Sequence, residues 1–422
     1  MAIYTQSKSS IFRRFFEPVF SVFHKSQNQY NCSELTDLDY LEMGIQRCVS
    51  ESETGRDFLQ RHGDHGRKNI RVDHHFKALK SKRRLKNISS INPLLALQMN
   101  ERCEDPFASI PELDNFAVYA GDGHYHSGAV HDQKKKSSAG VMKKLATGHF
   151  FMLNLRTHHM RHLTLAETGG TRKAEHDMRA LKRSDTDALR GGEPKGRKVI
   201  IAWDKAGIDF RFWQKLKQSA GLYFISCEKK NMNLTRCGYR IFDRQDPRND
   251  GVTADENVGP SSNGAIFRRI TYIDPVEGVT YVYLTTEMTL PPGVLVLIYK
   301  QRWDIEKVFD EFKSKFEEKK SWASSPTAKT AQAQFLCLTH NLMVLLEAQI
   351  LEEEKLDNET ERSRKAKRKE KVEENGGNYI STALQRFTVR SVKFIRWLRN
   401  WGYREALWSD AVARLREIYA TF

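Results

Sequence analysis

The sequence predicts an α/β fold in which a mixed sheet is flanked by helices, interrupted by a β-rich insertion and joined to helical N- and C-terminal regions. Two observations predict this class. Short apolar runs alternate with amphipathic helical patterns between about residues 112 and 231. Polar turn clusters then separate further strand-like runs up to about residue 292, whereas the remaining chain has mainly helical periodicity.

Composition narrows the class of partner. The 422 residues are 39% hydrophobic and 29% charged, which is typical of a globular protein. Lys and Arg number 69 against 53 Asp and Glu, so the formal net charge is +16. That balance indicates a polyanionic partner, either nucleic acid or an anionic membrane surface. Because no run of about 20 uninterrupted apolar residues occurs, we expect no membrane association, and nucleic acid becomes the leading partner.

The six cysteines argue against a zinc ribbon or a disulfide framework. They are scattered along the chain, and no two are separated by only two residues. Disulfide frameworks belong mainly to small secreted domains, so free thiols in a reducing cytoplasm are the simpler interpretation.

Residues 1–108 are predicted to form a helical, DNA-binding region. Within it, residues 74–85 combine basic side chains with an apolar face, in the sequence HHFKALKSKRRL. This pattern makes Lys80, Arg83 and Arg84 candidates for DNA contacts. The alternative is a solvated helix face, which charge runs of this kind usually form.

Residues 109–345 are predicted to form the central α/β domain. The apolar run at 198–203 is typical of a buried parallel strand. The β-rich insertion occupies residues 231–292. The predicted strands are 116–120, 149–156, 163–167, 198–203 and 222–227, with 238–242, 266–273 and 280–285 in the insertion, and the predicted helices are 175–183, 209–220, 294–320 and 327–351.

Residues 346–422 are predicted to form a charged segment followed by a helical C-terminal region. Residues 352–375 are almost entirely charged or polar, which is compatible with an exposed helix or with a disordered tether. The tail from 378 onward regains apolar side chains at helical spacing.

Two acidic residues occupy equivalent positions after predicted strands. Asp122 lies in the Gly-Asp-Gly sequence after the strand at 116–120, and Asp204 directly follows the strand at 198–203. If these strands are neighbours, the two carboxylates would repel each other unless a cation lay between them. Hard oxygen ligands of this kind suit magnesium. The alternative is that each Asp caps a turn or a helix.

A helix face after the insertion carries a second group of polar residues. With about 100° per residue, Tyr299, Arg302, Glu306 and Lys313 fall within an arc of about 60°. An adjacent apolar stripe would dock this helix on the sheet. The alternative is an ordinary surface ion pair between Arg302 and Glu306 at a spacing of four residues.

These residues together resemble the signature of the DDE superfamily of bacterial insertion-sequence transposases, in its IS-four-like branch. The pattern Y-x2-R-x3-E-x6-K is met in full from Tyr299 to Lys313. The segments Gly121-Asp-Gly-His124 and Trp203-Asp-Lys-Ala-Gly207 also resemble that family. The resemblance covers roughly residues 112–345 and implies a ribonuclease-H-like catalytic core.

The resemblance also implies a mechanism. Asp122, Asp204 and Glu306 would bind two Mg²⁺ ions, for which Mn²⁺ should substitute, and would catalyse cleavage at transposon ends and strand transfer into target DNA. Members of this branch release the element through a DNA hairpin, with the Tyr, Arg and Lys of the signature on phosphates. The expected partners are double-stranded DNA, as terminal inverted repeats and target, and a second copy of the chain, in the bacterial cytoplasm at the nucleoid.

Some assignments remain open at this level. Trp303 and Tyr281 are candidates for stacking a flipped base, as related proteins do with an aromatic side chain. Pairs of histidines, at 124 and 126 and at 158 and 162, have spacings that could ligate zinc, although phosphate contact or packing is favoured. The functional alternatives are a ribonuclease-H-like nuclease without strand transfer and a derivative that only binds DNA.

Overall fold

The computed structural model describes three main stretches of the chain. They are residues 10–23, 34–356 and 392–420, together with short pieces between 366 and 374. The basic part of the charged segment, residues 362–371, lies largely outside the described residues. Within the main stretches, the description omits residues 51, 53, 66, 137–139, 141, 168–174, 261–263, 276, 317 and 403–405.

A nine-stranded sheet organises the chain, in the order β5-β4-β1-β6-β7-β11-β10-β9-β8. Strands β2 and β3 form a separate hairpin. The strands are β1 (Phe116–His126), β2 (Lys134–Lys136), β3 (Met142–Lys144), β4 (Thr147–Asn154), β5 (Met160–Leu165), β6 (Lys198–Trp203), β7 (Leu222–Cys227), β8 (Leu234–Tyr239), β9 (Val252–Pro260), β10 (Phe267–Ile273) and β11 (Thr280–Thr285).

The pairing pattern identifies the core. Strands β5, β4 and β1 are antiparallel neighbours, whereas β1 pairs in parallel with β6, and β6 in parallel with β7. The ribonuclease-H-like arrangement has three antiparallel strands, here β1, β4 and β5. Two further strands, here β6 and β7, then extend the sheet in parallel beside the first strand. The predicted fold class is therefore confirmed.

The insertion continues the same sheet, because β11 pairs with β7 and carries β10, β9 and β8 outward. The sequence did not predict β9, whose Asp, Glu, Asn and Gly residues resemble a turn. Pairing with β8 and β10 stabilises this segment as a strand. Asp255 on β9 also binds the buried guanidinium of Arg268, at 2.9 and 2.7 Å.

Strand β1 is longer than predicted. We expected the strand to end at Ala120 and Asp122 to lie in a turn, but pairing with β4 continues from Asp122, opposite Phe151, to His126, opposite Thr147. The ladder to β4 satisfies the backbone groups that a turn would have exposed. Asp122 therefore sits within a strand.

In the described part of the chain, five α-helices precede the sheet. The basic helix predicted at 74–85 is divided between two of them. The first part ends at Leu79, and Ser81 caps the next helix by accepting a hydrogen bond from the amide of Arg84. The five are α1 (Ser10–Phe23), α2 (Asp37–Val49), α3 (Gly55–Asp64), α4 (Val72–Leu79) and α5 (Lys82–Arg102).

The remaining helices cover both faces of the sheet. They are α6 (Asp177–Arg183), α7 (Thr186–Leu189), α8 (Phe210–Ala220), α9 (Pro292–Gln301), α10 (Trp303–Ser314), α11 (Pro326–Glu354), α12 (Val392–Gly402) and α13 (Trp408–Ala420). Helices α6 to α8 share a hydrophobic cluster with the odd-numbered residues of β1 and β6. The even-numbered residues of those strands face a larger cluster with α9 to α13 and the N-terminal helices.

Helix α11 is the centre of the larger cluster. It packs against α1, α2, α5 and β5, so the N-terminal helices and the sheet share one core. Among the described helices, it alone is long and apolar enough to cross a membrane, but 72% of its most apolar window is buried inside the protein. The boundary predicted at residue 345 falls within this helix, which continues to Glu354.

A buried ion-pair knot ties α5 to the start of α2. The carboxylate of Asp37, only 5% exposed, accepts bonds from Arg83 at 2.5 and 2.7 Å and from Arg84 Nε at 3.0 Å. Arg84 also donates to the carbonyl of Leu35 and lies 8% exposed. Of the three predicted DNA contacts, Arg84 is thus buried in the protein, Arg83 is partly exposed but bound to Asp37, and Lys80 is exposed.

Replacing Asp37 by Ala should lower the free energy of unfolding by about 3–5 kcal/mol, because Arg84 would remain buried without its counter-ion. Asp57→Ala provides the comparison, since its pair with Arg61 is solvent-exposed and should contribute about 1 kcal/mol or less. Urea unfolding followed by circular dichroism measures both. Equal losses in the two variants would contradict the structural role of the knot.

Candidate active site

The parallel pairing of β1 with β6 brings two aspartates together. The last parallel register pair is Gly121 with Trp203, so Asp122 and Asp204 are the next residues on adjacent strands. Neighbouring strands lie about 4.8 Å apart. Both residues are even-numbered, and successive side chains alternate between faces, so both lie on the face that α9 and α10 cover.

Arg302 joins the third acid to this pair. Its guanidinium donates to Asp122 Oδ2 at 3.3 Å and to Glu306 Oε1 at 2.7 Å. Arg302 lies at the junction where α9 ends and α10 begins, and its side chain is only 10% exposed. The expected ion pair between Arg302 and Glu306 is therefore present, but in a partly buried setting that also includes Asp122.

Backbone amides orient both aspartates. Asp122 Oδ1 accepts from the amide of Gly123 at 2.7 Å, and Asp204 Oδ1 accepts from the amide of Ala206 at 2.5 Å. Asp204 therefore also caps a short 3₁₀ turn, as the alternative interpretation expected. In each case the amide holds one oxygen, and Asp122 presents its other oxygen to Arg302.

Ionisation of Asp122 is unfavourable in this site. Burial raises the pKa of Asp122 to about 7, and the nearby charge of Asp204 adds to the rise, while Arg302 and the Gly123 amide oppose it. A carboxyl with this pKa is half protonated near neutral pH unless more positive charge is supplied. A cation bound beside Asp122 would oppose this rise in its pKa.

Trp203 and Gly121 set the spacing of the pair. A Cβ atom at Gly121 would lie 2.1 Å from the six-membered ring of Trp203, which is fully buried. Glycine is required here because the indole of the neighbouring strand occupies the space of a side chain. Asp122 and Asp204 follow these two residues directly, so this contact positions the carboxylates.

Asp177, at the start of α6, is a fourth acid near the pair. Its carboxylate accepts from Trp203 Nε1 at 3.4 Å. Burial raises the pKa of Asp177; the Trp203 hydrogen bond opposes the rise and the charge of Asp204 adds to it. The sequence analysis does not single out Asp177, because the approach of α6 to β6 is a tertiary contact.

The other signature residues lie at different distances from the carboxylates. The ring of Tyr299 is 5.6 Å from the Arg302 guanidinium and 5.0 Å from Tyr283, and burial raises the pKa of its phenol. Lys313 is exposed on the last turn of α10, about 16 Å along the helix from Arg302. The break at Arg302 explains why the four residues do not form one straight row.

The two candidate stacking residues differ in exposure. Trp303 follows Arg302 and is 57% exposed, although it is a large aromatic residue. Tyr281 is half-buried, stacks on Tyr283 with ring centroids 6.1 Å apart and donates to Glu277. Lys80 and Arg83 belong to the α4–α5 region and take no part in the carboxylate cluster.

The histidines beside the site form packing and hydrogen-bond contacts. His124 and His126 both approach Glu318, at 2.5 and 3.3 Å, and His124 also stacks on Phe309 of α10. His162 contacts His149 at 3.1 Å, whereas His158 approaches Asp304 at 3.8 Å. These contacts attach α10 and the segment after it to β1 and β4.

The donor set suits a hard divalent cation. Asp122, Asp204 and Glu306 offer only carboxylate oxygens, and a cation would oppose the rise in pKa that burial causes in Asp122. Among the described residues, no three His, Cys, Asp or Glu side chains already stand close enough to hold a metal ion. Arg302 lies between two of the acids, so its guanidinium would have to move as a cation entered.

Comparison with known proteins gives one family match. The model of the Transposase DDE domain matches residues 123–342, which is just over half of the chain and begins directly after Asp122. No curated protein matches the sequence. Among solved structures, the piggyBac transposase synaptic complex with hairpin DNA is similar, with a TM-score of 0.41 and 12% identity over 100% of this chain and 87% of that chain. That likeness is too weak to assign roles to residues.

Gly121→Ala should lower the free energy of unfolding by about 1–3 kcal/mol and misplace the adjacent carboxylates, because the added methyl overlaps the Trp203 ring. Gly238→Ala on β8 is the matched control, since a Cβ there meets nothing within 4 Å. Thermal unfolding and DNA cleavage by the two variants should be compared. A Gly121→Ala protein as stable and active as the control would contradict the spacing role.

Asp122→Asn should stabilise the metal-free protein at pH 8 by on the order of 2–4 kcal/mol. The carboxyl has a pKa of about 7 in the folded chain against about 3.9 when unfolded. The folded state therefore binds the proton more tightly, and wild-type stability falls as pH rises from about 4 to 7. The gain from Asn should shrink toward zero near pH 4.

Urea unfolding in EDTA across that pH range measures this effect. Asp310→Asn, an exposed acid on α10, should leave the pH profile unchanged. A pH-independent difference between wild type and Asp122→Asn would show that burial of the charge is not its cause.

Proposed function

Because this chain belongs to the Transposase DDE domain family, it is a DNA transposase that cleaves and joins DNA strands, and we propose that Asp122, Asp204 and Glu306 are its catalytic carboxylates. One observation carries the proposal. Arg302 bridges Asp122 and Glu306, 184 residues apart in sequence, at the edge where Asp204 also ends its strand. The full signature from Tyr299 to Lys313 further supports a place in the IS-four-like branch.

Members of the family use divalent metal ions, and we propose that this chain uses Mg²⁺, with Mn²⁺ as a substitute. Two such ions held by Asp122, Asp204 and Glu306 would activate a water or a 3′-hydroxyl and stabilise the leaving oxygen. The proposal is supported by the all-oxygen donor set and by the raised pKa of Asp122, since added positive charge would keep that carboxyl ionised.

Arg302 is proposed to exchange partners during the reaction. In this structure, its two terminal nitrogens offset the charges of Asp122 and Glu306. The same planar fork fits two oxygens of a phosphate. Once the acids have another counter-charge, the guanidinium is available to orient the scissile phosphate.

Tyr299 and Lys313 are proposed to bind phosphates on either side of the scissile phosphate. The raised pKa of Tyr299 keeps its phenol protonated at neutral pH, so the phenol can donate a hydrogen bond to a phosphate oxygen. Lys313 supplies an exposed point charge about 16 Å away along α10, which suits a phosphate farther along the DNA.

Release of the element through a hairpin is part of the proposal. A hairpin requires an unstacked base near the strand end, and an exposed aromatic side chain can hold it. Trp303 is the better candidate, because it is 57% exposed and adjoins Arg302, whereas Tyr281 already stacks on Tyr283.

The proposed partners are the two terminal inverted repeats of the element, target DNA and a second copy of the chain. An element has two ends, so a dimer would present one carboxylate site to each. We propose that Lys80 and Arg83 contribute to end binding, because Lys80 is exposed and Arg83 is partly exposed beside Asp37, whereas Arg84 is buried. The site of action would be the bacterial nucleoid.

Asp122→Asn, Asp204→Asn and Glu306→Gln should each reduce Mg²⁺-dependent cleavage of an end duplex by a factor of about 10³ or more. Each removes a negative oxygen worth several kcal/mol in the transition state, while binding of the duplex should persist. Asp310→Asn, on the exposed side of α10, is the matched control and should cleave normally.

Product gels and an EDTA arm complete the assay. Hairpin and joined products would be separated from simple nicks, and nicking without joining would favour the nuclease alternative. Normal cleavage by any one of the three acid variants would remove that residue from the proposed site.

A further inference from the structure

The indole ring of Trp203 lies between two glycines. A Cβ atom at Gly121 of β1 would lie 2.1 Å from the six-membered part of the ring. A Cβ atom at Gly207, in the 3₁₀ turn that follows β6, would lie 2.5 Å from Cδ1 in the five-membered part. Trp203 is fully buried, so the two glycines leave a close-fitting space for the ring.

Both glycines adjoin a proposed catalytic carboxylate. Gly121 directly precedes Asp122 on β1. Gly207 belongs to the turn that Asp204 caps: its amide donates to the Asp204 carbonyl at 3.0 Å, while the amide of Ala206 donates to Asp204 Oδ1 at 2.5 Å. A displacement of the ring would therefore move the backbone that carries both carboxylates.

Apolar packing does not select a single orientation of this ring. Rotation of an indole about its Cβ–Cγ bond is broad and roughly two-fold, so contacts with glycine backbone leave more than one orientation open. The indole nitrogen is a donor, and a buried donor requires an acceptor. In the structure, Trp203 Nε1 donates to Asp177 Oδ2 at 3.4 Å. This directional contact selects one orientation of the ring.

Asp177 has a fixed place at the start of α6. This helix packs against the 3₁₀ turn at 205–207. Two residues before Asp177, the carbonyl of Glu175 accepts from the hydroxyl of Tyr125 on β1 at 3.1 Å. The Glu175 carboxylate accepts from Arg183 at 2.8 and 2.6 Å, near the other end of the helix. The acceptor is thus anchored to the sheet independently of Trp203.

Asp177 contacts the ring from the face of the sheet that α6 covers. Trp203 belongs to the hydrophobic cluster on that face, whereas Asp122 and Asp204 point to the opposite face. The hydrogen bond therefore acts on the carboxylates through the indole. The charge of Asp177 also interacts with that of Asp204. Asparagine separates the two effects, because it keeps an acceptor oxygen and removes the charge.

We propose that Asp177 is a positioning residue for DNA cleavage, because its hydrogen bond to Trp203 fixes the ring that sets the places of the catalytic aspartates. In this role Asp177 binds neither the metal ions nor the DNA. The inference rests on the proposed roles of Asp122 and Asp204.

The first test observes the hydrogen bond without metal or DNA. In protein labelled with ¹⁵N-tryptophan, the seven tryptophans give seven indole signals, and the signal that disappears in Trp203→Phe belongs to Trp203. Its proton should exchange with solvent about tenfold faster or more in Asp177→Ala, because the buried donor loses its acceptor. Exchange in Asp177→Asn should stay close to the wild-type rate.

The second test measures Mg²⁺-dependent cleavage of an end duplex, at a temperature at which every variant is folded. Asp177→Ala should lower the single-turnover rate by about 10–100-fold and raise the Mg²⁺ concentration that gives half the maximal rate, because displaced carboxylates bind the ions less well. Binding of the duplex in EDTA should not change. Asp177→Asn should recover most of the rate and the wild-type Mg²⁺ requirement.

Trp203→Phe supplies the matched background. Phenylalanine has no ring nitrogen, so Asp177→Ala should cause little further loss there, although it impairs the protein that retains Trp203. Asp187→Ala is the control for an acid in a first helical turn, since Asp187 is exposed at the start of the neighbouring α7. It should keep the wild-type rate and Mg²⁺ requirement. A merely structural role for Asp177 would lower thermal stability and leave the Mg²⁺ requirement unchanged.

Three results would overturn the proposal: wild-type cleavage by Asp177→Ala, equal losses from Asp177→Ala with and without Trp203→Phe, or an Asp177→Asn protein as impaired as Asp177→Ala. The last result would assign the effect to the charge. Failure of the proposed function is seen separately, because Asp122→Asn or Asp204→Asn would then cleave normally, whatever the rate of Asp177→Ala.

Discussion

Negative charge concentrated at one edge of the sheet is the constraint on which the rest of the site depends. The parallel register of β1 and β6 leaves Asp122 and Asp204 as neighbours on the same face. Their separation cannot relax, because Trp203 packs into the space left by Gly121 one residue earlier. Burial of Asp122, with the charge of Asp204 beside it, raises the pKa of Asp122, and a positive charge nearby opposes that rise.

Helices α9 and α10 place a positively charged side chain, Arg302, next to these acids. Stacking of Phe309 on His124 docks α10 on β1, and the break at the α9–α10 junction directs Arg302 toward Asp122 while Glu306 stays within its reach. One guanidinium thus contacts two of the three acids. The same residue is suited to a phosphate when the acids gain another counter-charge, which links the resting structure to the proposed chemistry.

The net charge of +16 divides into structural and surface parts. Arg84 and Arg268 are buried and paired with Asp37 and Asp255, so they stabilise the fold. Other basic side chains are exposed along α10, at the end of β1 and at the start of α5. Exposed basic side chains can contact a polyanion, whereas the buried and paired ones cannot, and the composition does not show this division.

The sequence by itself determined the strand and helix order of the core, the identity of Asp122, Asp204 and Glu306 as candidates, and the polyanionic partner. Periodicity and residue type carry that information because they depend on local chain geometry. The prediction that Asp122 lies in a turn was wrong, and strand β9 was not predicted. In both cases pairing with a neighbouring strand, β4 or β10, overrides the local turn propensity.

The tertiary structure alone decided the partners of each charge. It separated Arg84 from Lys80, brought Asp177 beside Trp203 and placed Lys319 near Lys144, because these contacts join residues that have no fixed spacing along the chain. A side chain's charge can be read from the sequence. Whether that charge is buried, paired or exposed depends on which elements pack against it.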